Sequence, residues 1–333
     1  MYSFAIIGCG TIAARHAETI TKIGRLAAVC DVVPEKAHGL LKKFGGTAYS
    51  NINDLLKQET DIDVVSVCTP NGLHAEHTIK ALQAGKHVLC EKPMCLTSVA
   101  GWQMVDTAYF FRRKLFVVKQ NRFNPPVGLL KKLLTEGRLG AVYSFQINGF
   151  WNRPQAYYSG GWKGTKQLDG GILYTQFSHF IDLLYWLLGD VKTVTAISKN
   201  FKARKHTEIE DTVAVLAEMQ SGAIGTMHFT INSFPQNLEG SFTVFAERGS
   251  VKIGGQYLNE LEWFGVQNEQ APALPKSNSA NEYGFYAGSM SNHGQVYEQL
   301  VAALHNETAS IPEGVDAVKT IEIIEKIYNS LHA

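Results

Sequence analysis

An apolar run, Phe4-Ala5-Ile6-Ile7, leads directly into Gly8-Cys9-Gly10-Thr11-Ile12-Ala13, and a second apolar run, Leu26-Ala27-Ala28-Val29-Cys30, ends on Asp31. No other feature restricts the fold as tightly. A strand, a glycine turn, a helix and a further strand closing on an acid about 20 residues later form the pattern of a dinucleotide site. The first glycine permits a tight strand-to-helix turn, and the second lets a pyrophosphate approach the backbone. A helix beginning near Thr11 offers free amide groups and the positive end of its dipole to the phosphates. Ala13 takes the third small position, where helix and strand pack closely.

Asp31 also bears on the cofactor. A carboxylate there accepts hydrogen bonds from a ribose 2′-hydroxyl and repels a 2′-phosphate. The following residues, Val32-Val33-Pro34, include no arginine to clamp a phosphate, so NAD is favoured over NADP, while Lys36 nearby leaves use of both open.

With 333 residues the chain is long enough for two domains, each with its own core. A charge of +1, from 31 basic and 30 acidic residues, gives no footprint for nucleic acid or a membrane surface. The five cysteines (Cys9, Cys30, Cys68, Cys90 and Cys95) fall mostly in strand-like runs without a Cys-x-x-Cys pair, so they read as small buried residues of a reduced, cytoplasmic protein. The first strand begins at once, leaving no expected room for a signal peptide. The most apolar stretch, Ile172 to Leu188, is interrupted by His179 and Asp182 and reads as a buried helix, too short and polar to span a bilayer.

The first 120 residues alternate strand and helix patterns. Strands are expected at Phe4–Ile7, Leu26–Asp31, Val64–Cys68, His87–Cys90 and Leu115–Val118, with helices including His74–Ala84 and Ser98–Phe111. This predicts an α/β Rossmann domain over 1–120, its doubly wound parallel sheet covered on both faces. Ligands of such sheets bind beyond the carboxyl ends of the strands, where Thr69-Pro70-Asn71 and Glu91-Lys92-Pro93 lie. Residues 121–333 predict an α+β domain for substrate binding and oligomerisation. Its alternating runs, Val142–Phe150, Val191–Ser198, Thr212–Glu218, Ile224–Ile231, Ser241–Ala246 and Val251–Ile253, suit a large, mostly antiparallel sheet with one open face. Gln267–Ser279 reads as a surface loop, and two helix patterns close the chain, the last able to pack back on the first domain.

Three constellations carry chemistry. Proline after Lys92 restrains the loop and holds the lysine at the ligand-binding edge, where an amine can bond a substrate oxygen or move a proton. A continuous helix from Gly171 to Leu188 would put Thr175, Gln176, His179 and Asp182 in one stripe opposite an apolar face, and His179 there can act as a base toward an alcohol. The segment Trp151-Asn152-Arg153-Pro154-Gln155-Ala156-Tyr157-Tyr158, followed by Trp162-Lys163-Gly164-Thr165, interleaves aromatics with cations and suits a sugar or nucleotide carrying phosphate, Arg153 and Lys163 meeting a diphosphate or carboxylate. The histidines are scattered and no zinc-like spacing occurs, so no metal is expected. Each constellation also has a structural reading: a surface lysine, a hydrogen-bonded core histidine, an oligomer contact.

Gly8-Cys9-Gly10, Asp31, Thr69-Pro70-Asn71 with His74, Glu91-Lys92-Pro93, and Gly170-Gly171 followed by His179 together resemble the Gfo/Idh/MocA oxidoreductase family. The resemblance implies a Rossmann domain, an α/β second domain whose large sheet often mediates oligomers (here a homodimer or homotetramer), and NAD(P)-linked sugar chemistry. It implies that Lys92 and His179 flank the reacting carbon. The cofactor set it implies is Gly8, Gly10, Thr11, Ile12, Asp31, Thr69, Asn71, His74, Glu91, Lys92 and Gln120. Many members have an aspartate four residues before the histidine; Thr175 stands there instead, which argues against an inositol dehydrogenase.

A narrower likeness lies in Lys119-Gln120-Asn121-Arg122-Phe123-Asn124, Arg153-Pro154-Gln155, Tyr157-Tyr158, Trp162-Lys163-Gly164-Thr165 and Leu168-Asp169-Gly170-Gly171. These runs are similar to bacterial UDP-N-acetylglucosaminuronate 3-dehydrogenases of surface-polysaccharide biosynthesis. The likeness implies oxidation of the sugar 3-hydroxyl, its proton leaving to His179 or Lys92. The substrate set is Lys92, Arg122, Arg153, Tyr157, Trp162, Lys163, Thr175, Gln176 and His179. Some enzymes of this type hold NADH tightly and reoxidise it with 2-oxoglutarate. Another family dehydrogenase acting on a free sugar or cyclitol, or a non-catalytic dinucleotide sensor, are the alternatives.

Overall fold

The structure is a computed structural model that describes residues 1–331 apart from Gly160, Phe285 and Ser310. The chain divides into two compact units, one formed by 1–119 with 293–321 and the other by 120–292 with the segment from 322 onward.

In the first unit, strands β1 (Ser3–Ile7), β2 (Arg25–Cys30), β3 (Thr47–Tyr49), β4 (Val64–Val67), β5 (His87–Cys90) and β6 (Leu115–Val117) form one sheet in the order β3-β2-β1-β4-β5-β6. Every pairing is parallel. All five residues of β1 are buried, as a central parallel strand with covered faces requires. Helices α1 (Ala13–Ile23), α2 (Pro34–Phe44), α3 (Ile52–Gln58), α4 (His74–Gln83) and α5 (Ser98–Phe110) connect the strands. The order reverses between β1 and β4, so the crevice of this fold opens at their carboxyl ends. The short β3 has no apolar run of its own and was not anticipated from sequence; it is held by pairing with β2 at Ala28, Val29 and Cys30.

The second unit begins with α6 (Pro125–Thr135). Its sheet contains β7 (Val142–Phe150), β8 (Val191–Lys199), β9 (Thr212–Met219), β10 (Ile224–Thr230), β11 (Glu239–Ala246), β12 (Gly249–Gly254) and β13 (Glu260–Val266), ordered β13-β12-β11-β7-β10-β9-β8. Only β7 and β10 pair in parallel. Along β9 and β10 one face is buried (Val213, Val215, Ala217, Met219, Met227, Phe229), whereas Leu216 and Ile224 face outward. Two helices follow β7 in the chain, α7 (Ile172–Thr175) and α8 (Ser178–Leu188). Phe177, between them, stacks on Phe229 with ring centroids 4.8 Å apart. Gly149 leaves room for this stack: a Cβ there would come within 2.7 Å of Phe177 and 2.9 Å of Phe229.

The single helix expected from Gly171 to Leu188 is therefore two. The Phe177 N–H bonds to the Ile172 carbonyl five residues back, inserting an extra residue into the turn and rotating everything that follows. The polar stripe does not face an open surface either: Thr175, Gln176, His179 and Asp182 are all buried. The β14 (Ala280–Glu282) and β15 (Ala287–Met290) hairpin was also unanticipated, and the chain ends with α9 (His293–Leu304) and α10 (Gly314–Ser330).

Candidate active site

The glycine turn is shaped by contact as well as by conformation. Gly8 has φ of +91°, and a Cβ there would lie 2.7 Å from the backbone of Cys68 at the end of β4. Gly10, in contrast, has nothing within 4 Å of an added Cβ, so its backbone is open to a close-lying group. Asp31 is oriented by that same turn: its carboxylate accepts from the Cys9 N–H at 2.8 Å and from the Val33 N–H at 2.9 Å. Each carboxylate oxygen retains a further lone pair for a ligand hydroxyl.

Two loops stand beside this edge, and His74 ties them together. One ring nitrogen lies 2.7 Å from the Pro93 carbonyl and the other 2.8 Å from the Thr69 carbonyl. Burial pulls the His74 pKa down, against both carbonyls and the nearby Glu91. Thr69 Oγ1 bonds His77, and Asn71 is buried in the turn before α4. Lys92 is half-buried and precedes a cis proline.

Beneath Lys92 is a network that sequence reasoning missed. Glu91 is buried, and its carboxylate accepts from His16 Nε2 at 2.9 Å, from His293 Nε2 at 3.3 Å and from the Lys92 N–H at 3.0 Å. His16 Nδ1 meets the Tyr297 hydroxyl at 2.8 Å, which meets Ser66 Oγ at 2.8 Å. Burial alone pushes the Glu91 carboxyl up, but its histidine hydrogen bonds outweigh this and hold it well below the usual carboxylate range. Burial keeps His16 below its ordinary value. The partners come from positions 75, 202 and 281 residues apart, so no local spacing announces them. Among the described residues, His16, Glu91 and His293 are also the one group whose ligand atoms, all within 4.8 Å of one another, have geometry compatible with a metal ion. The five cysteines are free and buried, with Cys9 pushed up to about 12 by burial and by Asp31, a state without nucleophilic character.

In the second unit the aromatic–basic segment closes on itself. Arg153 is buried; its Nε donates to Gln176 Oε1 at 2.7 Å, and one terminal nitrogen donates to the Asn152 carbonyl at 2.6 Å and to Asn237 Oδ1 at 3.2 Å. The guanidinium lies over the rings of Trp151, Tyr157 and Tyr286 at 5.0 to 5.5 Å. Lys163 Nζ sits 3.7 Å from the centre of the Tyr157 ring, and Gln176 Nε2 donates to the Tyr157 hydroxyl at 2.8 Å. Arg153, Tyr157, Lys163 and Gln176 thus form one cluster, joined by Tyr286, which sequence reasoning did not select. Trp162 is half-buried beside Lys163 in the chain.

Arg122 is engaged elsewhere. Its Nε and a terminal nitrogen donate to the two oxygens of Asp182 at 2.9 and 2.7 Å, and its guanidinium lies 5.0 Å from the Trp186 ring. Asp182 is one turn beyond His179, which is buried on α8. Thr175 Oγ1 donates to Asp169, which also accepts from the Gly164 N–H at 2.7 Å. Burial raises the Asp169 carboxyl to about 6 despite those hydrogen bonds. Gln120 Oε1 is buried with no hydrogen-bond partner among the described residues.

Comparison with known proteins agrees with this architecture. Residues 2–118 match the GFO/IDH/MocA oxidoreductase family's NAD-binding Rossmann fold, and residues 127–252 match the GFO/IDH/MocA C-terminal domain. The WlbA dehydrogenase of Chromobacterium violaceum, solved with NADH and UDP-GlcNAcA, superposes with a TM-score of 0.90 at 35% identity, covering 99% of this chain and 94% of that one. The WlbA dehydrogenase of Bordetella pertussis, solved with the same ligands, gives 0.89 at 32% identity, covering 99% and 96%. Glucose-6-phosphate 3-dehydrogenase of Bacillus subtilis is 25% identical over 98% of this chain and 96% of its own length. No helix among the described residues is long and apolar enough to cross a membrane. The chain belongs to the GFO/IDH/MocA family and is an NAD-dependent sugar dehydrogenase acting on a CH–OH group.

Proposed function

We propose that the chain oxidises the 3-hydroxyl of a UDP-N-acetylhexosaminuronate, in the formation of surface-polysaccharide sugars. The observation that carries this reading is the full-length likeness, at 35% and 32% identity, to two dehydrogenases solved with NADH and UDP-GlcNAcA. When bound, NAD supplies the hydride acceptor. The open backbone at Gly10 and the Asp31 carboxylate held by Cys9 and Val33 fit its pyrophosphate and ribose. Thr11, Ile12, Thr69, Asn71 and Gln120 complete the cofactor set, with His74 and Glu91 supporting its loops.

Lys92 and His179 are the two groups we assign to the hydroxyl proton. An amine or imidazole in hydrogen-bond reach of the hydroxyl takes its proton as hydride leaves carbon, contributing roughly 10²–10⁴-fold to rate. Lys163, Tyr157 and Trp162 are the groups for the charged and flat parts of the substrate. Arg122 and Arg153, which make two and three hydrogen bonds to protein acceptors, shape that region, as do Thr175 and Gln176. The outward face of the second sheet, carrying Leu216, Ile224 and Trp263, is the surface we assign to a homodimer or homotetramer.

Mass spectrometry of the product after incubation with UDP-N-acetylglucosaminuronate, NAD and 2-oxoglutarate tests the assignment. Loss of two hydrogens from the sugar nucleotide is expected. An unchanged sugar nucleotide, with turnover of free or phosphorylated hexoses, would favour the second reading suggested by the Bacillus subtilis relative.

A further inference from the structure

We propose that Glu91 is a positioning residue for Lys92, fixed by hydrogen bonds from His16 on α1 and His293 on α9; the proposal rests on the reading that Lys92 handles the substrate proton. A carboxylate only accepts, so both His16 Nε2 and His293 Nε2 must carry protons where they meet Glu91 Oε1. With His16 neutral, its Nδ1 accepts from the Tyr297 O–H, whose oxygen is free to accept from the Ser66 O–H. Each contact in this chain then has one donor and one acceptor.

Its consequence falls on the next residue. Glu91 Oε2 accepts the Lys92 N–H, and His74 anchors the Pro93 carbonyl, so the backbone is held at the peptide before Lys92 and again at the peptide after Pro93. Lysine has a long, flexible stem, so fixing its backbone narrows the positions its amine can reach. A misplacement of about 1 Å from the reacting group costs on the order of 10²-fold in rate. The same three side chains have cation-compatible geometry, but the hydrogen-bond distances of 2.9 and 3.3 Å account for them without an ion.

The test compares Glu91→Gln, His16→Leu and His16→Gln with wild type, each loaded with NADH. A glutamine at 91 keeps the shape but turns an NH2 group toward an N–H donor. A glutamine at 16 retains a donor to Glu91, and a leucine does not. The first readout is the rate at which acetic anhydride labels Lys92, measured by peptide mass spectrometry against exposed Lys22. The second is kcat with UDP-N-acetylglucosaminuronate, measured on enzyme loaded with NAD+ as the hydride acceptor in place of NADH, alongside the NADH dissociation constant.

Glu91→Gln and His16→Leu should alter Lys92 labelling several-fold and lower kcat by about 10²-fold, with NADH affinity retained in His16→Leu, and His16→Gln should restore most of both. Lys92 labelling that stays at the wild-type rate in Glu91→Gln and His16→Leu overturns the proposal. Should Glu91→Gln fail to fold, the two His16 variants decide alone. Altered labelling in an enzyme that leaves this sugar nucleotide untouched supports the positioning role while removing the substrate assignment. Activity lost to a chelator and restored by a divalent metal would overturn the proposal in favour of a metal centre.

Discussion

Both units bury a carboxylate beside their candidate chemistry, and they treat it in opposite ways. Glu91 accepts from three donors and stays ionised far below its ordinary range. Asp169 also accepts hydrogen bonds, from Thr175 and the Gly164 N–H, yet burial wins and its carboxyl rises to about 6. Burial is the largest influence on both groups and acts in the same direction. The difference lies in the donors: two imidazoles converge on one Glu91 oxygen, whereas Asp169 has Glu210 as a like-charged neighbour. Two acids that burial pushes in the same direction thus part company through what points at them.

The largest expected effect separates function from stability. Lys92→Ala should lower kcat by roughly 10²–10⁴-fold while leaving NADH binding and the melting temperature close to wild type. Turnover that survived in this variant would remove Lys92 from the chemistry. In the second unit, Asp182→Ala strands Arg122 as an uncompensated buried charge, and denaturant unfolding should register about 3–5 kcal/mol of lost stability. A loss under about 1 kcal/mol would mean that solvent reaches the guanidinium.

The third prediction tests the contrast by pH. His16 and His74 are held below their ordinary pKa, so the unfolded chain binds their protons first as pH falls below about 6.5. Glu91, with its depressed pKa, adds to the loss below its ordinary value of 4.5. The first unit should therefore lose stability as pH falls. Asp169 has the opposite sign: its folded pKa of about 6 exceeds its ordinary 3.8, so the penalty for ionising it grows as pH rises between those values. Hydrogen exchange from pH 4 to 7, corrected for intrinsic rates, should show protection rising with pH around β5 and falling with pH around α7. Slopes of the same sign in both places would break the comparison. The smallest effect belongs to the surface: replacing Lys252, paired with Glu262 at 2.7 Å, by methionine should change stability by under about 1 kcal/mol.

The cofactor half of the site was legible because its chemistry is local. Gly8, Gly10 and Asp31 lie on one strand–turn–helix–strand stretch, and the structure shows Asp31 bonded to the very turn that sequence joined it to. For the side chains proposed to meet the substrate, sequence offered candidates without their engagements. Arg153 reads from sequence as a free cation, yet its donors are on Gln176, Asn152 and Asn237. The helix stripe failed for a related reason: one extra residue at Phe177 resets the phase, and periodicity counts cannot detect a turn of different width.

What the sequence determined by itself was the alternation of apolar runs and turns, and with it a parallel nucleotide-binding sheet followed by a mostly antiparallel one. Those patterns depend on neighbours a few residues away, which the chain order specifies directly. Only the tertiary structure decided the protonation of Glu91, the engagement of Arg122 and Arg153, and the elevated carboxyl of Asp169. Each of these depends on the summed field and hydrogen bonds of residues brought from distant positions. Solvent exclusion makes those contributions strong, and chain order alone does not encode it.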